Sequence, residues 1–92
     1  MTNYFIEIIQ NIGENWKQFN IIEEGDLDIG NSNVNGSPHC KRFIETEDGK
    51  DSDYNTIDKP VQFLNLLEAE GYKKALDKFE RERVTAWEKE KA

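Results

Sequence analysis

The only imidazole in the chain, His39, stands next to the only thiol, Cys40. A thiolate nucleophile needs a base within hydrogen-bond reach and donors for a developing oxyanion. Neighbouring residues of an extended chain point to opposite sides, so this pair is expected to serve packing, and no enzymatic activity is expected. Two adjacent ligands also fall short of the three or four that zinc requires. Asp51, Asp53 and Asn55 repeat the first ligand spacings of a calcium loop, but Thr56 stands where that loop needs glycine and Gln62 where it needs a bidentate glutamate. Asp26 and Asp28 have no completing ligand. These carboxylates read as hydrated turn residues, with no metal and no cofactor implied.

Charge placement carries more information. The net charge is -7, and it is unevenly spread: residues 1–58 hold twelve acids against four bases, residues 59–92 seven against eight. Phosphate-backbone binding needs clustered Lys and Arg, so direct nucleic-acid contact is not expected, and anionic lipid would repel the chain. Glu23, Glu24, Asp26 and Asp28 form one acidic cluster; Glu45, Glu47, Asp48, Asp51 and Asp53 form another. If the fold brings the two together, they suit a protein partner with a basic surface. Among the aromatic residues, which dominate interface hot spots, Trp16, Tyr54 and Tyr72 are expected in the core. Trp87 follows the other apolar residues at a point where a small domain has little left to cover it. A partner or a second copy of the chain is expected to bury it.

The elements that position these residues follow from composition and periodicity. A chain of 92 residues supports one domain and one core, and 36% hydrophobic against 34% charged residues make that core thin. The apolar residues are nonetheless grouped, which favours folding over disorder. Residues 4–19 admit two readings. Phe5, Ile8, Ile9, Ile12, Trp16 and Phe19 share one face at the helical period, whereas the β-branched isoleucines and the Asn and Gly residues favour strands Tyr4 to Ile12 and Trp16 to Glu23 joined at Gly13-Glu14-Asn15. The hairpin is the preferred reading.

Residues 24–38 read as a long Asn- and Gly-rich loop. A third strand is expected over Cys40 to Thr46, followed by an Asp48-Gly49 turn and a short strand near Tyr54 to Ile57. Asp58-Lys59-Pro60 reads as a helix start capped by Asp58 or Asp53, with that helix ending near Glu70 at a left-handed Gly71. A second amphipathic helix then carries Tyr72, Ala75, Leu76, Phe79, Val84 and Trp87. The expected fold is therefore α+β: an antiparallel meander of three to four strands with one or two C-terminal helices on one face, spanning residues 1–92 as a single domain.

No window is long and apolar enough to span a bilayer, the first residues lack a secretory pattern, and a lone cysteine fits a reducing compartment. The chain is expected to be cytoplasmic. These observations point to a non-enzymatic, acidic protein-binding module, an inhibitor or adaptor of the compact kind that mobile elements encode, acting by occluding a basic surface. The alternative is a small-ligand-binding domain with Trp16, Tyr72 or Trp87 lining a pocket between sheet and helix or at a dimer interface.

Overall fold

The computed structural model describes residues 2–11, 13–27, 33–34, 37–49, 52–53 and 59–91. It shows a small α+β fold: strands β1 (Tyr4–Asn11), β2 (Lys17–Glu23), β3 (Asn33–Val34), β4 (Ser37–Ile44) and β5 (Ser52–Asp53), then one helix, α1 (Leu66–Lys91). The three long strands make an antiparallel sheet in the order β2-β1-β4, and the two-residue strands β3 and β5 both pair with β4. The path is thus not strictly sequential, since the chain returns from the β1–β2 hairpin to lay β4 along the other side of β1.

The hairpin holds because β1 is the central strand. Phe5, Ile6, Glu7 and Ile8 are all buried in succession, the pattern of a strand covered on both faces. That continuity is also why its periodicity imitated a helix. Register sets the helix-facing side: Ile6 lies opposite Ile21, and Ile8 opposite both Phe19 and Phe43. Ile6, Ile8, Phe19, Phe63 and Ala69 form the central cluster, with Tyr72 and Leu76 of α1 packed against it. Burying each isoleucine fully stabilises the fold by about 2–3 kcal/mol.

The chain between Gly25 and Pro38 is not one long loop. A single 3-10 turn occupies Glu24–Asp26, β3 lies at Asn33–Val34, and β4 already begins at Ser37. Asn35-Gly36 stands between these two strands in sequence, a strong hairpin signal, and pairing with neighbouring backbone holds polar residues extended despite their propensity. The Asp48-Gly49 turn is present: Gly49 adopts φ 72° and donates its N–H to Thr46 O at 3.1 Å. β5 follows it at Ser52–Asp53, whereas residues 54–57, where a strand was expected, lie outside the described residues.

The helical region also departs from expectation. Residues 60–63 are joined to the sheet by two bridges, Pro60 to Thr46 and Phe63 to Tyr4. Val61 N–H donates to Glu45 O at 3.0 Å, and Tyr4 and Phe63 exchange two hydrogen bonds of 2.8 and 2.9 Å. Lys59 takes φ 53°, and no helix starts at Pro60 because this backbone is held in the bridge to Thr46, with Glu47 N–H donating to Lys59 O at 3.1 Å. Asn65 caps instead, accepting from Leu67 N–H on Oδ1 at 2.7 Å and from Ala69 N–H on its carbonyl at 3.2 Å. The helix then runs unbroken through Gly71, which does not take the left-handed conformation, so the expected break is absent. Ala69, Tyr72, Leu76, Glu80 and Arg83 repeat at three- and four-residue steps and form the sheet-facing stripe.

Candidate functional site

At the hairpin end, α1 is latched to the sheet by polar groups. Glu80, buried, accepts from Lys17 N–H at 3.0 Å and from Arg83 Nε and Nη2 at 3.0 and 2.5 Å. Arg83 Nη1 reaches Asn15 Oδ1 at 2.9 Å. Hydrogen bonds from Arg83 are the main cause that holds the Glu80 carboxyl below its ordinary value; burial opposes them, and the Arg83 charge and Lys17 N–H add to them. Trp16 sits at the same turn and donates its indole N–H to Glu14. Toward the other end, Tyr72 packs on Phe63 with ring centroids 5.1 Å apart and donates its hydroxyl to Glu45 Oε1 at 3.1 Å. Burial first, then the Glu45 charge and this hydrogen bond, raise the Tyr72 phenol above its ordinary value.

The end of the sheet where β1 begins carries exposed acids from both clusters. Glu24 N–H donates to Asn3 O at 2.9 Å, Tyr4 pairs with Glu23 and Phe63, and Glu47 N–H donates to Lys59 O at 3.1 Å. These links order the segments laterally: the end of β2, the start of β1, residues 59–63, then residues 45–47. Glu23, Glu24 and Asp26 are exposed on one side, Glu47 and Asp48 on the other, and Glu68 and Glu70 of the first helical turns are exposed as well. Glu45 is not part of this surface, being buried beneath Tyr72.

At this same end lies an apolar group that the sequence does not single out. Leu64, Leu66 and Leu67 are 62%, 44% and 74% exposed. Once the sheet-facing stripe is fixed at Ala69 and Tyr72, Leu67 falls on the opposite side of the helix, and Leu64 precedes the cap altogether. The Asn65 cap was the signal available in the sequence. Of the other expected site residues, Asp28 and Asp51 lie outside the described residues, and Asp53 is described only as backbone in β5. Trp87, 39% exposed, is separated from the acids: it continues the sheet-facing stripe past Arg83, about 30 Å along the helix from Leu67.

His39 and Cys40 occupy successive positions of β4; His39 is exposed, and Cys40 Sγ is approached by Asn11 Nδ2 at 3.8 Å from the neighbouring strand. Among the described residues, no group of three or more His, Cys, Asp or Glu is arranged to hold a metal ion. Tyr72 packs between helix and sheet, and an open concavity of about 510 Å³ lies along α1, beside Lys78, Arg81, Thr85 and Lys89. Among the described residues, no helix is long and apolar enough to cross a membrane. Comparison with known proteins gives no matching family model, no matching curated protein and no matching solved structure.

Proposed function

We propose that the chain is a non-enzymatic, cytoplasmic protein-binding module of inhibitor or adaptor type, which occludes a basic surface of its partner with the acidic end of the sheet. One observation carries this reading: Leu64, Leu66 and Leu67 are exposed just after the Phe63–Tyr4 bridge, at the end of the sheet where Glu23, Glu24, Asp26, Glu47 and Asp48 are exposed as well. An apolar patch beside exposed charges suits a docking surface, and solubility alone gives no reason to expose Leu67. The acids steer a basic partner, and the leucines supply the desolvated contact.

The test compares wild type with two variants, Glu24→Lys/Asp26→Lys/Asp48→Lys and Leu64→Ser/Leu67→Ser, as baits for lysate of the source cells at low and raised salt. Each bait is first checked for unchanged circular dichroism. The reading expects a basic protein that wild type retains at low salt, releases at raised salt, and that both variants lose. A partner retained by both variants, or a partner with an acidic surface, would overturn it.

A further inference from the structure

Among the described residues, no strand pairs with the outer edge of β2. Lys17 N–H turns away from β1 to Glu80, while Glu24 N–H turns toward β1 to Asn3. Backbone groups alternate along an antiparallel strand, so the even-numbered residues of β2 pair with β1, and Phe19, Ile21 and Glu23 direct their N–H and C=O groups outward. β2 ends the strand order of the sheet, and among the described residues the outward N–H of Lys17 is taken by the Glu80 carboxylate. Sheet edges of this kind are usually blunted by central charges, a proline or a bulge. In β2 the sequence is Lys-Gln-Phe-Asn-Ile-Ile-Glu, with its charges only at the two ends.

We propose that β2 is a self-pairing edge: two copies of the chain join β2 to β2, antiparallel, about a two-fold axis at Asn20. This goes beyond the docking surface proposed above and does not rest on it. In that register Phe19 faces Ile21 of the second copy, Asn20 faces Asn20, and Lys17 faces Glu23. Phe19 and Ile21 are both outward-directed residues, so each exchanges backbone hydrogen bonds with the other across the axis, and the Glu23 N–H meets the Lys17 carbonyl. Their side chains share the helix-facing side with the charges of Lys17 and Glu23, so the apolar residues meet at the centre and opposite charges meet at both ends. Shifting the register by two residues sets Glu23 against Phe19 and loses both charge pairs. An isologous interface must be self-complementary, and this strand is.

Sedimentation equilibrium over a concentration series, with amide hydrogen exchange as the site-specific readout, tests the proposal. Wild type is expected to approach twice the monomer mass as concentration rises, with Phe19 and Ile21 amides gaining protection in step. Asn20→Lys opposes like charges directly across the axis and weakens association on the order of tenfold. It is compatible with the monomer, because the new cation replaces an amide that lies 3.4 Å from Glu7 Oε1. Lys17→Glu and Glu23→Lys each weaken association about fivefold, and the double swap restores it. The swap series decides the matter even if Asn20→Lys disturbs the fold. A monomer at every concentration, or a dimer indifferent to these substitutions with Phe19 and Ile21 amides unprotected, would overturn the proposal.

Discussion

Glu80→Gln tests whether the polar latch, and not apolar packing alone, fixes α1 on the hairpin. The carboxylate accepts from a backbone N–H of the edge strand and from two nitrogens of Arg83. Glutamine keeps the shape and one acceptor oxygen, so the Lys17 bond persists without its charge and one Arg83 bond is lost. Hydrogen bonds to charged groups contribute about 1.5–3 kcal/mol against about 1 for neutral ones, so weakening the Lys17 bond costs about 1 kcal/mol. The Arg83 side chain is 37% exposed, and solvent screening discounts that part to about 0.5 kcal/mol. The expected loss is thus about 1.5 kcal/mol, or a fall of roughly 6–12 °C in Tm for a domain of this length. Because the folded carboxyl titrates below its ordinary value of 4.5, its stabilisation is present in full above that value and disappears as pH falls through the lower folded value. Urea unfolding of wild type and variant, from pH 7 down to the acid limit of the fold, measures the difference. No difference at pH 7, or one that persists undiminished in acid, would refute the assignment.

Gly71→Ala is expected to stabilise the protein by about 0.5–1 kcal/mol, since Gly71 lies inside the helix and an added Cβ meets nothing within 4 Å; thermal unfolding checks this, and destabilisation would restore a break at that position. The raised Tyr72 phenol makes stability fall as pH rises through the ordinary value of 10.0 toward the folded value, so ultraviolet titration should show a late-ionising tyrosine that Tyr72→Phe removes.

The parts of the fold legible in the sequence were those where local signals agreed with tertiary pairing. Gly13-Glu14-Asn15 between two isoleucine-bearing runs identified the hairpin, and Asp48-Gly49 identified a turn in which glycine's positive φ is used. The misread parts were those where a local signal lost to pairing elsewhere. Pro60 resembles a helix start, but the backbone of residues 59–63 is drawn into bridges with Tyr4 and Thr46, and the cap falls to Asn65. Gly71 resembles a stop, but helix continues on both sides because Ala69, Tyr72 and Leu76 bury one uninterrupted stripe. The acidic clusters were visible as composition; their common end of the sheet was not, because it depends on residues 59–63 inserting between β1 and the segment after β4. The exposed leucines were not legible for the opposite reason, since apolar type alone does not say which side of a helix meets the sheet.

The helix also explains why an acidic end is tolerable in a domain with so small a core. Glu68 and Glu70 stand in the first turns of α1, where the unsatisfied N–H groups and the positive pole of the helix dipole favour negative charge. Part of the repulsion among the acids is therefore offset locally, and the leucines beside them need not retreat to the core. Self-pairing through β2 changes what a partner meets. Antiparallel strands send the two acidic ends in opposite directions, and the Glu23 side chains turn to Lys17 across the axis while Glu24, Asp26, Asp48 and the leucines stay outside the pairing. Two ends pointing apart do not fit one flat basic patch, so under the proposed function each copy would engage its own partner without avidity. Asn20→Lys should accordingly halve the number of partners carried per particle while leaving the affinity of each end unchanged, whereas Leu64→Ser/Leu67→Ser should lower that affinity without altering the mass of the free protein.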